Sequence, residues 1–261
     1  MPDHRAASPL ALALALALDL ALAALLLLAP GAAHAAPSTG RLWLYASGNL
    51  QLSPGWSLTL MPGLRFEFER SDPSPTRDHY LDEVFVGPNW SRRWGDLGLK
   101  VSLWYYFLGF PRQGSYPVSH HLELIPAIDY QIGALNLSYR IIFHNTVYAS
   151  VYPVAQRWGF GCVMRNLLLA KYRVIEGLSL LLGDEPWYGL VENSGTAYNG
   201  AGYWQSGFRL NRLYAGLEWK IFGGLSVSPQ YVLETTFGPG GQGTEIGHYL
   251  FATVAYTHQV F

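Results

Sequence analysis

The feature that most constrains this fold is a strict alternation of apolar and polar residues between Leu213 and Glu234. Apolar side chains occupy the odd-numbered positions on both sides of Gly223-Gly224, and mostly polar, charged or small residues occupy the even-numbered ones. Two residues is the repeat of a β-strand, whose successive side chains point to opposite faces. The stretch therefore predicts two long strands joined by a tight turn, with one apolar face and one polar face.

The same alternation recurs through most of the chain and predicts eleven strands. Most are longer than the five or six residues usual in soluble sheets, and they approach the ten needed to cross a bilayer at a tilt. The predicted strands are 42–52, 56–69, 80–90, 97–107, 120–131, 135–144, 162–174, 178–188, 208–221, 225–235 and 248–261.

The connections between these strands alternate between short and long. The short ones are Ser53–Gly55, Ser91–Asp96, Ile132–Ala134, Ile175–Gly177 and Phe222–Gly224, and the long ones are 70–79, 108–119, 145–161, 189–207 and 236–247. Short turns at one end and long loops at the other are typical of outer-membrane barrels.

The first 35 residues differ from the rest. A short head with Arg5 precedes an Ala/Leu-rich run, and Ala33-His34-Ala35 fits a signal-peptidase site. We therefore expect a signal peptide over 1–35 and a mature domain over 36–261, exported and placed in the outer membrane. Basic and acidic residues are then equal in number, so no polybasic surface for nucleic acid is expected.

These patterns predict an all-β fold, an antiparallel transmembrane β-barrel of about 10–12 strands with its apolar face towards lipid. An odd number conflicts with the even counts of bacterial single-chain barrels. We therefore expect ten or twelve strands: either one is hidden in a long loop or near 36–41, or 42–52 is not a regular wall strand. Pro62, Pro126 and Pro229 fall inside strands and predict bulges or local irregularity, since proline cannot donate to a ladder.

Aromatic residues gather near predicted strand ends and suggest two interfacial girdles. The residues concerned are Trp90, Trp94, Phe107, Phe110, Trp187 and Tyr188.

Charged residues at the polar positions of the alternation are expected to face a narrow lumen. The candidate lumen or ligand residues are Arg65, Glu67, Glu69, Arg140, Arg165, Lys171, Arg173, Arg212, Glu218, Lys220 and Glu234, with Glu83, Lys100, Glu123, Asp129 and Glu185 on the same parity. Their balanced signs predict pairing across strands, which would form an electrostatic plug. A narrow pore or a polar ligand site is the alternative. Arg165, Lys171 and Arg173 form a basic stripe that is either an anion-binding wall or the partner of Glu67 and Glu69.

A lipid-modifying hydrolase of the outer membrane is the rival function. It would need a serine activated by an adjacent imidazole. The candidate imidazoles are His79, His120, His121, His144 and His248, and no catalytic residue, cofactor or metal site is assigned from them. His120 and His121 should point to opposite faces of their strand.

The chain also resembles a known family. The pattern Leu64-Arg65-Phe66-Glu67-Phe68-Glu69, the pairs Tyr139-Arg140 and Tyr172-Arg173, the run Asn211–Leu217 and the closing Phe261 are similar to the outer-membrane barrels of domain of unknown function 2490. The resemblance implies an outer-membrane β-barrel with no established activity. We expect a monomer in contact with outer-membrane lipid, recognised by the barrel-assembly machinery through the strand that ends in Phe261.

Overall fold

The computed structural model describes residues 38–70, 78–111, 116–149, 157–191, 206–237 and 243–260. All eleven predicted strands are present, most of them a few residues longer than expected. In chain order they are β1 (Ser38–Ser53), β2 (Trp56–Arg70), β3 (Asp78–Trp94), β4 (Leu97–Gly109), β5 (Val118–Ile132), β6 (Leu135–Ala149), β7 (Arg157–Ile175), β8 (Leu178–Val191), β9 (Gly207–Phe222), β10 (Leu225–Phe237) and β11 (Gly243–Gln259). Within the ranges given above, no helix has the length and apolar character needed to span a membrane.

Five two-residue turns join the strands at one end of the barrel, called the turn end below. They are 54–55, 95–96, 133–134, 176–177 and 223–224, and the longer connections leave from the opposite, loop end. The predicted sorting of connections is confirmed, although the 91–96 connection is shorter because β3 continues to Trp94. Gly223 and Gly224 have φ of 50° and 88°. This left-handed backbone suits a tight hairpin and favours glycine.

The strands form one closed barrel in which β1 and β11 complete the ring. Neighbouring strands are antiparallel except at this seam, where β1 and β11 pair in parallel from Ser38 opposite Ile246 to Gln51 opposite Gln259. With eleven alternating strands the first and last point the same way, so closure has to be parallel. The expectation of ten or twelve strands is wrong for the described part of the chain, and β1 is a regular wall strand.

The parallel seam can be tested by cross-linking. Ala46 lies opposite Val254, and neighbouring positions on a strand face opposite sides of the sheet. In a Cys162→Ser background, we expect Ala46→Cys with Val254→Cys to form a disulfide under oxidation. Ala46→Cys with Thr253→Cys should not, since the two thiols point to opposite faces. Mass spectrometry of the oxidised protein checks both, and equal cross-linking of the two pairs would contradict the register.

The two faces of the wall are arranged as the alternation predicts for a membrane barrel. Outward apolar side chains are exposed, for example Leu60 at 51%, Leu103 at 54% and Trp219 at 58%. Inward carboxylates are buried, with Glu83 at 1% and Glu185 at 0%. The apolar positions of the alternation therefore lie on the outer face of the barrel, and the charged positions lie on the inner face.

Two aromatic residues expected in the girdles lie inside the barrel instead. Trp187 is 6% exposed and belongs to an interior cluster, and Phe110 packs against a second interior cluster. The reason is parity: Trp187 stands two residues from the inward Glu185 and therefore shares its face. Trp94 and Tyr188 are exposed on the outer side as expected.

The prolines interrupt pairing without shifting it. Pro62 and Pro126 stand in register with Val84 and Val101, and no bulge occurs at either position. On the opposite side of each, the ladder is broken for two positions and resumes in the same register. Pro229 behaves in the same way between β9 and β10. The expected bulges are therefore absent. The expected local irregularity is present as an interruption of the hydrogen-bonded ladder, because proline has no N–H to donate to one of its neighbouring strands.

Candidate functional site

Two cavities formed by the described residues bear on function. The central cavity, of about 350 Å³, is lined by apolar residues such as Met61, Phe85 and Ile125 and by charged residues nearer the loop end. The second cavity, of about 460 Å³, lies at the turn end and is called the turn-end vestibule. The vestibule is defined by Arg93, Lys100, Asp129, Gln131, Asn136, Ser138, Lys171, Arg173 and Lys220, together with Ala127, Ile128 and Ala134.

A network of paired charges begins at Arg41, on β1. Its Nε donates to Glu67 Oε2 at 3.0 Å, and its Nη2 donates to Glu245 Oε1 at 2.8 Å. Its Nη1 donates to the hydroxyl of Tyr249 at 2.6 Å and lies 3.8 Å from Glu234 Oε1. One arginine thus connects β2 with β10 and β11 beside the parallel seam.

The network continues from Arg212 on β9 through alternating charges. Arg212 Nε donates to Glu234 Oε2 at 2.6 Å, and its Nη1 lies 3.8 Å from Glu185 Oε2. Arg165 Nη2 is 2.9 Å from Glu185 Oε1, and its Nη1 is 3.8 Å from Glu123 Oε1. Each of these five buried side chains therefore has an oppositely charged neighbour, which the low-dielectric interior requires.

A second group of paired side chains surrounds Glu83, on β3. Arg65 binds it with both Nε and Nη2 at 2.7 Å, which is the two-pronged geometry of strong arginine–carboxylate pairs. The hydroxyls of Tyr45 and Tyr106 also donate to Glu83. The carboxylate is thereby satisfied although it is almost fully buried.

Two tryptophans join these groups. Trp43 lies between Arg65 and Arg212, whose guanidinium carbons are 3.9 and 4.9 Å from its ring centre. Trp187 lies between Arg165 and Arg212 in the same way, at 4.2 and 4.3 Å. Cation–π attraction of this kind strengthens when water is excluded. The stack of Arg212 on Trp43 reaches from β9 to β1, past the two strands β10 and β11 that lie between them in the barrel.

All eleven strands contribute a side chain to this network. Glu123 pairs with His144 at 2.7 Å, and His144 packs edge-on against Tyr106, with their ring centres 5.3 Å apart. In strand order the contributors are Arg41, Arg65, Glu83, Tyr106, Glu123, His144, Arg165, Glu185, Arg212, Glu234 and Glu245. The interior near the loop end therefore contains one continuous set of paired charges and rings, several of which also line the central cavity.

The predicted lumen residues separate into two levels along the barrel axis. Arg65, Glu67, Arg165, Arg212 and Glu234 belong to the network. Lys171, Arg173, Glu218 and Lys220 lie at the turn end, where Lys171 pairs with Glu218 at 3.2 Å.

The remaining two candidates stand apart from both groups. Arg140 lines the central cavity, and its Nε is buried with no hydrogen-bond partner in the described part of the chain. The Glu69 side chain lies outside the described residues.

The basic stripe of β7 does not act as one unit. Arg165 joins the network through Glu185, whereas Lys171 and Arg173 line the vestibule. Glu67 pairs with Arg41, on β1, and the alternative in which Glu67 and Glu69 serve the stripe stays a prediction. Spacing along one strand could not show this division of the stripe, because strand tilt and register decide which strands meet at each level.

Sequence reasoning overlooked several network residues. Arg41 and Glu245 lay just outside the predicted strands, although both continue the inward parity of their strands. Trp43, Tyr106 and Tyr249 are also on that parity, but aromatic residues were expected on the outer girdles. The two-residue alternation by itself would have identified all five as inward-facing residues.

His120 and His121 are adjacent in β5, and their side chains lie on opposite faces of the barrel wall, as the alternation predicts. His121 is fully buried inside the barrel, with its Nε2 against the Ser119 hydroxyl and its Nδ1 3.0 Å from Thr146 Oγ1. His120 faces outward, 2.5 Å from the Tyr105 hydroxyl. No cluster of three or more potential metal-ligating side chains occurs in the ranges that the structure describes.

Comparison with known proteins finds no family model and no curated protein that matches this chain.

Proposed function

We propose that this chain is an integral outer-membrane β-barrel whose lumen is plugged by its own side chains, and that its role is structural rather than conductive. The observation that carries the proposal is the network to which all eleven strands contribute, including the stack of Arg212 on Trp43 that joins β9 to β1 across the inside of the barrel. Ions crossing a barrel need a continuous water-filled path. Buried, mutually paired charges occupy the section where that path would run.

The membrane location is supported by three independent features. The outer wall exposes apolar side chains along its length, the turns and loops are sorted to opposite ends, and residues 1–35 have the pattern of a secretory leader. With the turn end in the periplasm, β1 begins at the cell surface, since Ser38 lies at the loop end. The resemblance to domain of unknown function 2490 remains a prediction.

Fractionation and conductance measurements test the two parts of the proposal. We expect the mature chain in the outer-membrane fraction, with an epitope placed before Ser38 reachable by antibody on intact cells and one inserted at Gly223-Gly224 not reachable. Purified protein in planar bilayers should give no stable conductance. Recovery in the soluble periplasm or cytosol would refute the location, and steady ion current would refute the plug.

The hydrolase alternative rests on the contact between Ser119 and His121. Both residues lie inside the barrel and are at most 1% exposed, whereas a lipid substrate would approach from the outer face. The second nitrogen of His121 lies 3.0 Å from the Thr146 hydroxyl, at the position where an acid usually orients the imidazole in such catalysts. The plugged barrel therefore has the stronger support.

A further inference from the structure

The turn-end vestibule carries a strong excess of positive charge. Five cationic side chains reach it from β3, β4, β7 and β9, against Asp129 as the carboxylate of its lining. The overall balance of charges in the chain conceals this excess, because six carboxylates are held in the network near the loop end, namely Glu67, Glu83, Glu123, Glu185, Glu234 and Glu245.

Only part of this positive charge is neutralised within the protein. Arg93 pairs with Asp129, and Lys171 pairs with Glu218 at 3.2 Å. Among the described residues, no carboxylate lies within ion-pair distance of Lys100, Arg173 or Lys220, although all three line the same cavity. Cations brought together without counter-charges repel one another, which is a cost that a bound anion would remove.

The lining also offers the hydrogen-bond donors that phosphoryl oxygens require. Arg173 presents a planar guanidinium, and Lys100 and Lys220 present ammonium groups that act as point charges. The amides of Gln131, on β5, and Asn136, on β6, also line the cavity, but they donate to Gly133 O and to Asp129 and Gln131, so the cationic side chains are the main donors for a ligand. Arg140, on β6, lies at the same level of the barrel as Lys100. Both residues pair in register with Ala127 on β5, which lies between their two strands.

We propose that the turn-end vestibule is a binding site for a small phosphorylated anion carrying two or more phosphoryl groups. Lys100, Arg173 and Lys220 line one cavity of about 460 Å³, and two or three linked phosphoryl groups bring more negative charge to these cations than a single phosphate does. The site goes beyond the structural role proposed above. It opens at the turn end, so in the proposed orientation its ligand would come from the periplasm.

Calorimetric titration of the detergent-solubilised full-length mature protein tests the site, with tripolyphosphate, pyrophosphate and inorganic phosphate as probes. We expect saturable binding at low salt, tightest for tripolyphosphate, that weakens as added NaCl screens the charges. The double variant Arg173→Gln with Lys220→Gln should bind tripolyphosphate about tenfold more weakly or worse, since each lost charge-assisted contact is strong.

Two further variants make the result specific to the vestibule. Arg92→Gln removes one cation at the same end from the outer face, where Arg92 lies over Trp94, and it should leave binding unchanged. Glu218→Gln releases Lys171 and removes a negative charge, and it should bind tripolyphosphate more tightly. Circular dichroism confirms that each variant is folded.

The proposal is overturned if the folded wild-type protein shows no saturable binding of tripolyphosphate at low salt. It is also overturned if the double variant binds as well as Arg92→Gln. Neither result bears on fractionation or conductance, so failure of this site and failure of the proposed structural role can be told apart.

Discussion

Replacing Glu185 with glutamine is expected to lower the free energy of unfolding by about 3–5 kcal/mol, the usual cost of removing one partner from a buried ion pair. Glu185 is fully buried, accepts hydrogen bonds from Arg165 and from the Tyr214 hydroxyl, and lies 3.8 Å from Arg212. A neutral amide leaves the two guanidinium groups facing each other without their shared carboxylate. Urea unfolding of the protein refolded into lipid vesicles measures the change.

Glu218→Gln is the matched control, because it makes the same chemical change in a more exposed pair. The side chains of Lys171 and Glu218 are 33% and 24% exposed, so water and salt screen their attraction and the loss should stay below about 1 kcal/mol. Equal losses at the two sites would show that the network adds no stability beyond that of a surface pair.

Gly87→Val is expected to be the second most damaging change, with a loss of at least about 2–3 kcal/mol or failure to fold. Gly87 faces inward from β3, and a Cβ built there would lie 2.7 Å from both the Cα and the ring Cδ1 of Trp104. It would also collide with the backbone carbonyl oxygen of Leu103. Backbone atoms cannot move aside without separating β3 from β4, and displacing the indole also breaks its hydrogen bond to Asn89 Oδ1, at 3.1 Å.

Gly48→Val controls for the effect of adding a β-branched residue to a strand. A Cβ at Gly48 would meet its nearest neighbour, the carbonyl oxygen of Leu60, at 3.8 Å, which is ordinary contact. Valine suits a strand, so the change should be within about 0.5 kcal/mol of neutral or slightly stabilising. Vesicle refolding yields and urea midpoints compare the two variants, and a harmless Gly87→Val would disprove the close packing of Trp104.

The two halves of the interior have different physical roles. Near the loop end, buried carboxylates and guanidinium groups neutralise each other and leave little capacity for a ligand. At the turn end, Lys100, Arg173 and Lys220 are solvated and lack internal counter-charges among the described residues. Mutations in the network should therefore change mainly stability, whereas mutations in the vestibule should change mainly anion binding.

Much of the fold could be predicted from the alternation of side chains. Leu213 to Trp219 and Leu225 to Leu233 were expected to form one face, and they point outward, while Arg212 and Glu234 point inward and pair. All eleven strands and the sorting of turns were predicted in the same way. The alternation predicted eleven strands, and the expectation of ten or twelve came from the even counts of bacterial single-chain barrels. It was wrong because β1 closes the ring by pairing in parallel with β11, which alternation within β1 does not reveal.

The sequence by itself determined which face of the wall each residue occupies, because a strand repeats every two residues and this repeat is local. It could not determine the level that each residue reaches along the barrel axis, since that depends on the register between strands distant in sequence. Only the tertiary structure therefore decided that Arg165 joins Glu185 while Lys171 and Arg173 line the vestibule. The hairpin from Leu213 to Glu234 shows both outcomes: its Arg212 is held in the network by Glu234, whereas its Lys220 stands among unneutralised cations at the turn end.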